Sequence, residues 1–159
     1  MTVEGPGPLA RRAFLDGIQK GRQGKGSIYV FASGNGGTSD GCNCDGYTNS
    51  MYTLSIGAVD HNDNEPYYNE RCASTHAVTY SSGSGGPSIV SVDLHNGCTS
   101  AHSGTSAAAP LAAAMVALVL QANGALTWRD VQHVVIATAD KINPGDGSWI
   151  TNKVGRGEH

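Results

Sequence analysis

Charge is what this sequence most lacks. Asp, Glu, Lys and Arg make up 14% of its 159 residues, and the net charge is −3 with histidine neutral. No basic stripe stands ready to meet a phosphate backbone, so the composition does not favour a nucleic-acid partner. A membrane-spanning run is absent as well. The longest apolar stretch, Ala107 to Leu120, is alanine-rich, contains Pro110 and falls short of the ~20 residues a bilayer demands. The opening MTVEGPGPLARR has no apolar core of a signal peptide. No N-x-[ST] acceptor occurs, so glycosylation says nothing about compartment. The four cysteines, at 42, 44, 72 and 98, include one C-x-C but no second pair at metal spacing, which argues against zinc. Adjacent Cys42 and Cys44 are poorly placed to bond to each other, and the remaining pairings stay open.

Glycine, by contrast, is plentiful: 22 residues, about twice the usual share of roughly 7%. These glycines cluster beside apolar runs, as tight turns and close backbone approach require. The length fits one domain or a piece of a larger one. Residues 8–20, PLARRAFLDGIQK, put Leu9, Ala13, Phe14, Gly17 and Ile18 on one helical face, with Pro8 in the first turn and Arg11 and Arg12 on the solvated side. SIYVFAS (27–33) then reads as a strand buried on both faces, and helix followed by strand predicts a parallel α/β unit. Further strands are expected over 52–60, 75–82 and 88–94. TSAAAPLAAAMVALVLQANG predicts a helix apolar all round, buried at the centre, with Gly124 as its cap. A last, amphipathic helix opens at Thr127 with Asp130 three residues on, in the manner of a capping box. The tail, NPGDGSWITNKVGRGEH, has no element to end on and, like the turn-rich start, reads as a cut.

Two motif matches fail. In GRQGKGS, Gly26 replaces the Ser or Thr of a phosphate loop, and Gln19 stands where its first glycine belongs. DHNDNEPYYNER resembles a calcium-binding loop, but Glu65 occupies the obligatory glycine position and Arg71 that of the bidentate glutamate. The stretch HSGTSAAAP, residues 102–110, is harder to dismiss. A lone Ser106 before a buried helix reads first as a cap or a close-packing residue. A serine at a helix start also lies beside oriented N–H groups and the positive end of the dipole, which would stabilise an oxyanion. The nucleophile-elbow pattern G-x-S-x-G is a poorer fit, because Ala108 replaces its second glycine. In ASGNGG, Asn35 reads as a turn residue by itself. At the end of a buried parallel strand it occupies the place where α/β sheets build their sites.

Together GTSAAAP and ASGNGG resemble the subtilisin-like serine proteases. CNCDGYTNSMYTLSIGAVD, YYNERCASTHAVTYSSG, CTSAHSGTSAAAPLAA and LTWRDVQH resemble the kexin/furin proprotein convertases, nearly segment for segment. The resemblance implies a partial subtilisin-like fold, a mostly parallel sheet between helices in three α/β/α layers. It implies that residues 1–159 are the C-terminal portion of a catalytic domain, with the upstream half and a downstream β-sandwich domain outside. Ser106 matches the nucleophile, and Asn35 the donor completing the oxyanion hole. Ala32, Ser33 and Gly34 match the strand edge that pairs with extended substrate. Asp45 matches the acid of the S1 pocket, where a substrate Arg or Lys docks. Glu4 replaces an Asp that, with Tyr47, meets a P4 arginine. Asp40 and Glu70 match calcium ligands, in a loop one residue shorter than is common in furin. Cys42 and Cys72 match a disulfide; Cys44 is left free, and the partner of Cys98 lies upstream.

The implied substrates are precursor proteins or peptides of the secretory pathway, cut after paired basic residues. Any membrane attachment would come from segments outside this chain. In the family, Asp and His precede the Asn, yet all six histidines here (61, 76, 95, 102, 133 and 159) follow Asn35. His102 matches a non-catalytic position. This stretch alone is therefore expected to be inactive for want of a base. The alternatives are a non-catalytic, calcium-dependent binder of basic peptides and a piece too incomplete to fold.

Overall fold

The computed structural model describes residues 4–147, 149–151 and 157–158. Its organising element is a strand of small and β-branched residues, TLSIGAV, numbered β2 (Thr53–Val59) and buried at every position. β1 (Tyr29–Ala32) and β3 (Thr75–Tyr80) flank it, both parallel to it, with Ala32 opposite Ile56 and Ala58 opposite Thr79. Side chains alternate across a strand, so β2 turns Leu54, Ile56 and Ala58 to one face. There they meet Ala108, Ala109, Ala112 and Val116 of helix α2 (Thr105–Ala122) and Val131 of α3 (Trp128–Thr138). On the opposite face, Tyr29 and Phe31 of β1 meet α1 (Pro8–Gly24), whose Phe14 stands edge-on to Tyr29 at 4.7 Å between ring centroids. Helix, parallel sheet and helix make three layers, the α/β/α arrangement that the resemblance implies.

α1 keeps helical backbone only as far as Lys20. Arg22 and Gln23 adopt positive φ (48° and 59°), turning the chain through GRQGKG into β1. That turn reaches the far end of α2, where Arg22 donates to the Leu126 carbonyl (3.0 Å) and Lys25 to that of Gly124 (2.8 Å). Cations at a helix C-terminus complement its dipole. In α3 the expected capping box is present, Thr127 and Asp130 bonding reciprocally. The two N-cap donors, the Thr127 amide first and its hydroxyl second, hold the Asp130 carboxyl below its ordinary pKa.

Several expectations need correction. α2 is buried along one face only. Leu111, Met115 and Leu118 are 39%, 61% and 66% exposed, because the sheet beneath has three strands and nothing described covers the helix's outer side. Its C-cap is Asn123, with Gly124 one residue beyond. β1 is half-buried and not enclosed, as befits an edge strand. Leu9 faces solvent at the start of α1. The 88–94 segment supplies β4 (Ile89–Val92), which stands outside the parallel sheet and pairs antiparallel with an unforeseen β5 (Cys98–His102). In the tail, β6 (Ile150–Thr151) pairs with β7 (Gly157–Glu158); residues 1–3, 148, 152–156 and 159, His159 included, lie outside the described residues.

Candidate active site

Three segments meet at the C-terminal end of the parallel strands. Gly34 and Asn35 follow β1, Ser81 follows β3, and Gly104–Ser106 open α2 after the β4–β5 ribbon. The Asn35 carboxamide oxygen accepts the Thr105 amide N–H at 2.8 Å and the Thr105 hydroxyl at 3.0 Å. A backbone N–H can only donate, so the acceptor atom is Oδ1 and the Asn35 NH2 group faces away from Thr105. The Thr105 hydroxyl also lies within hydrogen-bond reach of both the Gly34 N–H and the Gly34 carbonyl, at 3.3 and 3.2 Å. Thr105 is fully buried. Gly104 has φ of 82°, and a Cβ there would lie 3.0 Å from Asn35 Oδ1, so glycine is demanded twice over.

Ser106 is exposed at the second residue of α2. Its N–H has no backbone partner among the described residues, whereas Ala107 N–H already bonds the Gly104 carbonyl at 3.0 Å. A free N–H at a helix start and an oriented Asn amide are the two donors an oxyanion hole needs. His102, half-buried on β5, makes no hydrogen bond to Ser106. His76 is engaged elsewhere: on β3 its Nδ1 accepts the Ser55 N–H at 3.3 Å, and burial, reinforced by Arg129, lowers its pKa below 6.5. Gly34's two backbone groups face Thr105, and Ser33 N–H bonds the Ile56 carbonyl at 2.9 Å. Ser33 is buried, Ala32 half-buried on β1.

The acidic side chains sit on a braced loop. Cys42 and Cys72 are disulfide-bonded, with Cα atoms 5.9 Å apart, while Cys44 and Cys98 are free and exposed. Thr48 donates to the Cys42 carbonyl (2.8 Å), and half-buried Asp45 accepts the Tyr47 N–H (2.9 Å) in an Asx turn. Tyr47 stacks on Phe31 at 5.3 Å. The Glu4 carbonyl accepts the Gly46 N–H at 2.7 Å, so Glu4 lies beside Asp45 and Tyr47. Behind this loop, Glu70 is 5% exposed, and among the described residues its Oε1 accepts only the Gly36 N–H, at 2.8 Å. No lysine or arginine pairs with it among the described residues. Asp40 borders the same glycine, where a side chain would strike the Asp40 Cβ and crowd Glu70 Oε1 at 3.1 Å. A buried carboxylate with one donor and no cation is uncompensated. The neighbouring sulfurs belong to the disulfide and cannot act as thiolates. The remaining donors are oxygens, which suit a hard cation such as calcium.

Thr105 and Ser81 were not singled out from sequence. Thr105 was in plain view inside GTS, but its part emerges only with Asn35, 70 positions away.

Residues 1–157 match Peptidase_S8, the Subtilase family. The chain belongs to the subtilase family. It is 59% identical over 157 residues to Furin-like protease 1, isoform 1-CRR, of Drosophila melanogaster, covering 98% of this chain and 14% of that protein. It is 55% identical to human Furin, again over 98% of this chain and 20% of the relative. The chain thus spans a fifth or less of either. Among solved structures, a serine protease of Aeromonas sobria superposes with a TM-score of 0.81 at 16% identity, over 99% of this chain and 36% of that one. That likeness is one of fold; the furin-like character comes from the sequence relatives.

Proposed function

We propose that the chain is part of a serine endopeptidase of the proprotein convertase type, in which Ser106 attacks the scissile carbonyl and forms an acyl-enzyme. The supporting observation is the clamp of Thr105 on Asn35. With Oδ1 engaged twice, the Asn35 NH2 and the Ser106 N–H are left as donors for the oxygen that becomes negative. These donors need no reorganisation when charge develops, which is what makes such groups effective. Asp45, with Glu4 and Tyr47 beside it, forms the acidic ground on which substrate Arg or Lys docks, a guanidinium fork suiting a carboxylate best. Ala32, Ser33 and Gly34 border extended substrate. Asp40 and Glu70 would hold calcium, whose charge balances the buried carboxylate beneath the loop. The expected substrates are secretory-pathway precursors.

No side chain among the described residues bonds Ser106, and the 159-residue stretch by itself is expected to hydrolyse nothing. Peptidyl-arginyl chloromethylketone with mass spectrometry tests both halves of the reading. With the free thiols of Cys44 and Cys98 blocked beforehand, a form of the protein carrying the upstream half is labelled and its Ser106→Ala variant is not, while the stretch alone stays unlabelled. Labelling of the stretch alone overturns the second half. A non-catalytic reading draws on the proximity of Glu4 and Asp45: an acidic groove that binds basic peptides without cutting them. Calorimetry with an Arg-rich peptide, with and without calcium, separates the two, and no heat in either condition dismisses binding.

A further inference from the structure

Ser81 lies in the segment YYNERCASTHAVTYSSG but has no role assigned to it, yet it is buried and tied into the site. It follows β3, its N–H bonds the Val59 carbonyl at 2.8 Å, and its hydroxyl donates to the Gly104 carbonyl at 2.8 Å. That carbonyl belongs to the same peptide unit as the Thr105 N–H, and no peptide among the described residues is cis. In a trans peptide the C=O and N–H are coplanar and point in opposite directions. Fixing one end of the plane therefore aims the other. The Thr105 N–H at that other end is the donor that fixes Asn35 Oδ1, also at 2.8 Å. Gly104 has no side chain and a backbone free to rotate at φ 82°, so the plane has little restraint from its own residue.

We propose that Ser81 is a positioning residue for the oxyanion hole, acting through the Gly104–Thr105 peptide on the Asn35 carboxamide. The path is continuous: Ser81 hydroxyl, Gly104 carbonyl, Thr105 amide, Asn35 oxygen, Asn35 NH2. It rests on the assignment of Asn35 as oxyanion donor. The Gly104 carbonyl keeps a second donor, Ala107 N–H, so loss of Ser81 loosens the plane without releasing it.

The test is a double-mutant cycle on the protease form that carries the upstream half. Ser81→Ala should lower kcat roughly tenfold, the scale of one neutral hydrogen bond, with KM and the pH profile unchanged. Ser81→Thr, which keeps the hydroxyl, should recover most of the loss. In an Asn35→Ala background, Ser81→Ala should cost nothing further, because residues acting through one group are non-additive. Equal losses in both backgrounds, or full kcat in Ser81→Ala, overturn the proposal. A second readout is independent of catalysis. In the 15N-labelled chain, Ser81→Ala should speed exchange of the Thr105 amide and shift the Asn35 side-chain NH2 resonances, leaving β2 amides protected. Unmoved Thr105 and Asn35 signals refute positioning, whereas absent peptidase activity with shifted signals refutes only the protease reading. Global loss of β2 protection makes Ser81 a purely structural residue and likewise overturns the proposal.

Discussion

The two sides of α2 are made under different rules. At its N-terminus every group is specified: Gly104 by φ and by contact with Asn35, Thr105 by donating to Asn35 and accepting the Gly34 N–H, and Ala107 and Ala108 by the closeness of the sheet. Two turns later the outer side carries Leu111, Met115 and Leu118 in contact with solvent. The contrast teaches that the proposed oxyanion donors depend on the ends of β1, β3 and α2, whereas complete burial of the helix needs more polypeptide than the three-stranded sheet supplies. The site's geometry is local; the fold's stability is not.

That contrast can be broken at its strong end first. Asn35→Ala in the protease form should lower kcat by roughly 10²–10³, the scale measured for loss of such a donor in a subtilisin, with KM little changed; a loss confined to KM would make Asn35 a substrate contact. Next in size is the Cys42–Cys72 link, which closes a 30-residue separation. Replacing both cysteines with alanine should destabilise the chain by roughly 3–4 kcal/mol in denaturant titration, and an unchanged midpoint would show the acidic loop to be held by Thr48 and its neighbours alone. Then come adjacent residues on α2. Val116→Ala, on the buried side, should cost roughly 2 kcal/mol, while exposed Met115→Ala should stay within about 0.5 kcal/mol. Equal costs would mean that the outer side is covered in solution.

The smallest effect concerns pH. His76 has a folded pKa lowered by burial, so the unfolded chain binds its proton more readily. Its neutral form stabilises the sheet above the unfolded value near 6.5, and that contribution is lost as pH falls from there through the lowered folded value. His76→Asn should flatten the stability-versus-pH curve in this window; an unchanged slope assigns the dependence to another group.

Much of this was legible in the residues. The run TLSIGAV announced a strand, though the double burial expected of SIYVFAS belongs to it instead, and Thr127 with Asp130 announced a cap that is present. By themselves Ser106 and Asn35 read as a cap and a turn residue; the roles proposed for them come from the resemblance of GTSAAAP and ASGNGG to the subtilisin-like proteases. What could not be read is what depends on distant neighbours. α2 is apolar on every side, so its sequence cannot say which side lacks a cover. TSAAAP contains no hint that Thr105 orients Asn35, since that bond joins residues 70 apart. Ser81 sits in a serine–glycine loop like many others until the Gly104 carbonyl is placed above it.

The most direct test of the central claim is active-site titration. A fluorogenic peptide ester ending in arginine, mixed rapidly with the protein form that carries the upstream half, should release a burst of one equivalent per molecule. Ser106→Ala should abolish it, and the 159-residue stretch alone should give none. A burst that survives Ser106→Ala would contradict the account outright, because the nucleophile would then lie elsewhere.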